Sequence, residues 1–222
     1  MNKHINVSYD LYTTRYGILR TLDELYARKT LSFDTEVQSV YNIDERNEAK
    51  ELLKCCQDER SPEDVRLSKL VANSSGLSHP KITKVTHFQF GLSEDEAVIF
   101  ICRDMDTELL VWNWLAEWEG KLLVHNAGFD LKIMHERTGK FPKDFEDTQL
   151  LAKCLINDAD DWKARTGLKH LMGEYYDPKW QELDDDGYDV VDYKNEAFLR
   201  YCAIDVGSTY KLYTMLMEEV NE

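Results

Sequence analysis

Two carboxylates stand one residue apart in LSFDTEV, residues 31–37, a run whose alternation otherwise suits a strand. Leu31, Phe33, Thr35 and Val37 point one way; Ser32, Asp34 and Glu36 point the other. Asp34 and Glu36 therefore share a face, where their charges repel unless something cationic sits between them. A second candidate lies in LLVHNAGFDLKIM: a spacing of four sets Asn126 and Asp130 on about the same side of a helix start, beside an apolar stripe of Phe129, Ile133 and Met134. A third pair, Tyr201 and Asp205 in LRYCAIDVGSTYKLY, is also four apart and adjoins the stripe Leu199, Cys202, Val206, Tyr210 and Tyr213. Each has an ordinary structural explanation, as a helix cap, a dipole residue or a local hydrogen bond. All three together, on a strand, a helix start and a late helix, are hard to obtain by chance.

The elements that must position these groups follow from periodicity and turn residues. Residues 15–28 place Ile18, Leu22 and Leu25 at helical spacing, and the acidic strand follows directly. Residues 84–91 and 97–102 read as two strands of a hairpin joined by a polar turn at 93–96. A helix is expected near 107–119, a strand over 121–125, and a helix beginning at Asn126. Further helices are expected from Asp147, over 167–175, and from Asn195 to about Val220. Residues 41–80 are charged, helical in two pieces and broken at Ser61-Pro62, so they read as a helical insertion over the core. With no repeat or linker elsewhere, the expectation is a single domain of residues 1–222, of α/β class with a mixed sheet.

Composition narrows the setting. The 222 residues are 43% hydrophobic and 11% aromatic, enough for a substantial core. No apolar run approaches the roughly 20 residues of a membrane helix, and the N-terminus lacks the apolar segment of a secretory signal. Five cysteines without CxxC spacing suit free thiols in a reducing cytoplasm and disfavour structural zinc. A net charge of −15 counts against non-specific grip on nucleic acid, but not against a nucleic-acid enzyme whose acids bind cations. The acidic run ELDDDGYDVVDY, residues 182–193, imitates a calcium loop but ends in Tyr193 where a bidentate Glu is required. It reads as a solvated connection.

The three motifs together resemble those of the DnaQ-like 3′–5′ exonucleases of the DEDDy group, which include the proofreading domains of family A DNA polymerases. Asp34-Thr35-Glu36, Asn126 to Phe129-Asp130, and Tyr201 to Asp205 occupy the three motif positions, and FEDTQLLAKCL and GLKHLMGEYY resemble segments between the second and third. The resemblance spans about residues 31–37 and 82–217. The insertion at 41–80 departs from it, being longer than the usual connection after the first motif.

The resemblance implies a ribonuclease H-like fold, a mixed five-stranded sheet flanked by helices. It also implies two divalent cations, Mg²⁺ or Mn²⁺, which suit hard oxygen ligands. Asp34 would bridge them, Glu36 and Asp205 would complete the site that activates water, and Asp130 would support the second ion partly through water. Tyr201, with a reference pKa of about 10, stays protonated at neutral pH, too high for a good general base, and is expected to orient the attacking water. The Thr35 backbone and the side chains of Asn126 and Phe129 correspond to positions that hold the terminal nucleotide; for Phe129, stacking on a base and plain core packing stand equal. The substrate implied is the 3′ end of single-stranded or frayed DNA, with release of nucleoside 5′-monophosphates. No polymerase domain follows residue 222, so the task expected is proofreading in trans for a separate DNA polymerase, or end trimming. The setting would be a cytoplasm, a host's if the source is viral. The alternatives are an RNA 3′ exonuclease resembling ribonuclease D, and a polymerase-interaction module without catalysis, whose signature would be a missing acid.

Overall fold

The computed structural model describes residues 6–39, 83–155, 166–175 and 194–220. The chain divides into two compact units, one of residues 1–36 and 86–222, the other of residues 37–85. The helical insertion expected over 41–80 and the acidic run 182–193 lie outside the described residues.

In chain order the described elements are β1 (Ser8–Tyr12), α1 (Arg15–Leu25), β2 (Thr30–Ser39), β3 (Thr83–Gly91), β4 (Glu96–Ile101) and α2 (Met105–Glu117). They continue with β5 (Lys121–Val124), α3 (Asp130–Thr138), β6 (Asp144–Asp147), α4 (Thr148–Leu155), α5 (Leu168–Tyr175) and α6 (Glu196–Val220). The strands form one sheet in the order β1-β4-β3-β2-β5-β6. β1 is parallel to β4, β3 and β4 form the expected antiparallel hairpin, and β2, β5 and β6 run parallel. The mixed sheet flanked by helices is the ribonuclease H-like arrangement expected, with six strands rather than five. β1 and β6 are edge strands with mixed or polar sequences, SYDLY and DFED, and such short polar edges carry little periodicity to read.

Helix starts follow local chemistry. The Thr14 hydroxyl accepts from Gly17 N–H at 3.2 Å to open α1, and Asp104 Oδ1 accepts from Thr107 N–H at 2.7 Å to open α2. Asn195 Oδ1 accepts from Ala197 and Phe198 N–H at 3.0 and 3.2 Å to open α6. Among the described residues no helix is long and apolar enough to cross a membrane.

Each face of the sheet has its own packing. On one, Phe33 and Phe88 meet Trp112 of α2 at 5.7 and 4.8 Å between ring centroids, and Phe33 meets Phe90 at 5.1 Å. On the other, α6 lies so close that the Ser32 hydroxyl donates to the Val206 carbonyl at 2.6 Å. Gly91 permits this approach: a Cβ there would stand 2.1 Å from Ser32 Oγ and 3.0 Å from the Val206 carbonyl oxygen. Around the aromatic layer, Glu108 of α2 is fully buried and accepts from Arg137 Nε of α3 at 2.8 Å and from Trp112 Nε1 at 3.3 Å.

Candidate active site

β2 and β5 pair in parallel from Thr30 opposite Lys121 to Phe33 opposite Val124, so Asp34 stands where its partner strand has just ended. Crevices beyond the carboxyl ends of parallel strands are where open α/β sheets receive ligands. Alternation then sends Asp34 and Glu36 to the face covered by α6, the side on which Ser32 meets Val206. On α6 the register fixed at Val206 brings Asp205 to them. One carboxylate oxygen each from Asp34, Glu36 and Asp205 lies within 4.8 Å of the others, and all three residues are half-buried. These are hard oxygen donors, converging tightly enough to share a small divalent cation.

Asp130 joins from the first turn of α3. It is buried at 1% exposure, and the Thr35 hydroxyl donates to its Oδ1. Thr35 points away from Asp34 and Glu36, so one strand serves the cluster from both faces. The Thr35 side chain is thereby committed to Asp130, leaving its backbone for the substrate contact expected there.

Crowding the acids away from water is costly, and their proton affinities register it. Burial, then the neighbouring charges of Asp130, Glu36 and Asp205, hold the Asp34 carboxyl well above the usual carboxylate range. Burial pushes Asp130 up to about 7, against the opposing pull of the Thr35 hydroxyl. A divalent cation would reverse both effects by supplying the missing charge. The Tyr201 phenol is raised as well, by burial and then by Asp205, Glu36 and a hydrogen bond to Asp205. It remains neutral at any physiological pH and can act only as a polar, proton-bearing group.

The turn between β5 and α3 differs from expectation. Asn126 does not cap a helix at its own position: it has a positive φ of 63°, and α3 begins at Asp130 with no side-chain cap. Asn126 is exposed at the surface, and Phe129 is half-buried. The turn is held instead by Asp147, whose Oδ1 accepts from Asn126 N–H at 3.1 Å and whose Oδ2 accepts from Ala127 N–H at 2.9 Å. The same carboxylate caps α4 by accepting from Gln149 N–H at 2.9 Å. Sequence inspection marks Asp147 as a helix start; its second task, across 20 residues of chain, has no local signal. His125 at the mouth of this turn shares a 2.9 Å contact with the Thr148 hydroxyl through Nδ1, and burial lowers its pKa to about 4. It is uncharged at neutral pH.

A family model described as 3′-5′ exonuclease matches residues 110–221, half of the chain, which includes Asn126, Asp130, Tyr201 and Asp205. No curated protein matches the sequence significantly. Among solved structures, Escherichia coli RNase D, an exoribonuclease involved in structured RNA processing, has a TM-score of 0.58 at 15% identity. The alignment covers 97% of this chain and 46% of that one, so this chain spans about half the length of that relative. Brucella melitensis NrnC with bound Mg²⁺ has a TM-score of 0.57 at 16% identity, covering 97% and 82%. Trypanosoma brucei RNase D in complex with RNA U12 has a TM-score of 0.59 at 13% identity, covering 96% and 63%. Likeness at such identities speaks for the fold alone, and the family match leaves out residues 1–109, which include the strand carrying Asp34 and Glu36. The chain belongs to the 3′–5′ exonuclease family.

Proposed function

We propose that this chain removes nucleotides from the 3′ ends of single-stranded or frayed DNA, releasing nucleoside 5′-monophosphates, in proofreading or in end trimming. The observation that carries the reading is the convergence of Asp34, Glu36 and Asp205 within 4.8 Å, with Asp130 buried alongside. The family uses two divalent cations, which when bound stabilise charge on the attacking and leaving oxygens of an in-line displacement at phosphorus. Asp34, central to the cluster, would help hold both, with Glu36 and Asp205 serving one and Asp130, fixed by Thr35, the other. Water forms the new bond to phosphorus as the bond to the 3′ oxygen breaks, and a proton passes to that oxygen to leave a 3′-hydroxyl. Tyr201, neutral and bonded to Asp205, orients the attacking water. Asn126, exposed, and Phe129, half-buried at the turn, would meet the terminal nucleotide, the Phe129 ring stacking on a base face.

The choice of DNA rests on the resemblance of the motifs to polymerase proofreading domains. RNA is the second reading, favoured by the RNase D structures that share the fold across nearly all of this chain. A time course on 5′-labelled single-stranded DNA and RNA of one sequence, with Mg²⁺, with EDTA and with Asp34→Ala, tests both. A metal-dependent ladder shrinking from the 3′ end, faster on DNA and absent in the variant, is expected. Faster loss of RNA would transfer the site to the second reading, and no digestion of either strand would refute both.

A further inference from the structure

Lys169 takes no part in the reaction as described, yet it stands beside it. Its Nζ lies 5.0 Å from the centroid of the Tyr201 ring, within the roughly 6 Å reach of a cation–π contact. The side chain is half-buried, and among the described residues its ammonium forms no ion pair. The placement is firm because α5 is anchored: Leu171 and Met172 belong to the same buried cluster as Leu199, Cys202 and Ala203 of α6. In a chain of net charge −15, this cation lies over the ring of the phenol that bonds Asp205.

We propose that Lys169 is a substrate-binding residue, its ammonium holding the phosphate immediately 5′ of the scissile one. This rests on reading Asp34, Glu36 and Asp205 as the site of the scissile phosphodiester. The terminal nucleotide departs with the scissile phosphate, so every other phosphate of the strand lies on the 5′ side. The Tyr201 hydroxyl is turned to Asp205, while Nζ stands over the ring. The ammonium thus lies over the face of a ring whose hydroxyl meets Asp205, where it would meet the next phosphate of a strand held at the acids. A fixed positive charge there draws an anionic strand toward a site whose own residues repel it.

The test pairs protein variants with substrate variants, in whichever sugar type the native protein cuts faster. One oligonucleotide carries phosphodiesters throughout; the other has an uncharged methylphosphonate at the second linkage from the 3′ end. Lys169→Met keeps the apolar stem over the ring and removes the charge, Lys169→Arg keeps the charge, and Lys169→Gln repeats the comparison should the Met variant melt early. On the full phosphodiester strand, Lys169→Met should raise KM about tenfold, with a smaller change in kcat, as expected for loss of a charged hydrogen bond. The methylphosphonate should raise the native KM by a similar factor, leave that of Lys169→Met unchanged, and show Lys169→Arg behaving as native. An active native protein whose sensitivity to the neutral linkage is shared by Lys169→Met overturns this proposal alone. Absence of Mg²⁺-dependent shortening by the native protein overturns the exonuclease reading and this inference with it.

Discussion

The two faces of β2 are built from consecutive residues and obey opposite physics. Phe33 looks into the aromatic layer, where it meets Phe90 and Trp112 and is fully buried. Asp34, the next residue, looks toward α6 and three other acids, among which its own ionisation is disfavoured. The first face lowers the free energy of the fold by removing apolar surface from water; the second raises it by holding like charges together. One strand thus couples them: the rigidity supplied by Phe33 keeps Asp34 in a place it would otherwise avoid. Functional groups held at a cost to stability are common in active sites, and here the offsetting gain sits one residue away.

The contrast is most sharply broken at Asp34 itself. Asp34→Ala should lower the rate about 10³-fold or more, since even one electrostatic stabiliser of a transition state is worth 10²–10³. In metal-free buffer the same variant should melt no lower than the native protein, because a disfavoured charge has gone. Paired kinetics and calorimetry check this, and a large fall in melting temperature would refute the account of that face. Phe33→Ala is the mirror experiment: it should destabilise the fold by about 3 to 5 kcal/mol in urea unfolding, with activity lost only in step with unfolding. Tyr201→Phe removes a group that orients rather than binds, so a loss of about 10- to 100-fold is expected in single-turnover rates. A loss equal to that of Asp34→Ala would contradict the orienting role.

The smallest effect is one of pH. Asp130 is held at about 7 in the fold against an ordinary 3.8, so between those values the folded, metal-free protein keeps a proton that the unfolded chain releases. Stability from this group is therefore present at low pH and lost as pH rises through about 7. Asp130→Asn should flatten that part of the curve between pH 4 and 8, read as the difference in melting temperature from the native protein without metal. Adding Mg²⁺ or Mn²⁺ should raise the native melting temperature most at the alkaline end.

Much of this arrangement was legible in the sequence, because the signals were periodic. Alternation in LSFDTEV put Asp34 and Glu36 on one face, and the four-residue spacing of Tyr201 and Asp205 put both on one side of a helix. The hairpin and the long last helix were legible for the same reason. The miss at Asn126 was of a different kind: its residue type suits a helix cap, but tertiary hydrogen bonds from Asp147 bend the chain into a positive-φ turn first. Nor could periodicity reveal that Thr35, assigned to the opposite face, would serve Asp130. Lys169 lay in a segment recognised only for its resemblance to the family, with nothing local to connect it to Tyr201. Contacts between distant parts of the chain were what the sequence withheld.

The missing side chain at position 91 sets how deep the last helix can seat. A methyl group there would act as a wedge between the sheet and the backbone of Val206, beside the residue that brings the third acid. Slippage of an α-helix by one turn displaces its side chains by about 5.4 Å, more than enough to disperse a cluster that spans less than that. Gly91→Ala is thus the addition of a single carbon, outside the acids themselves, whose consequence would be felt as weakened cation binding. The tolerance of this enzyme to mutation should be lowest not only among its acids but also at the shim that sets their spacing.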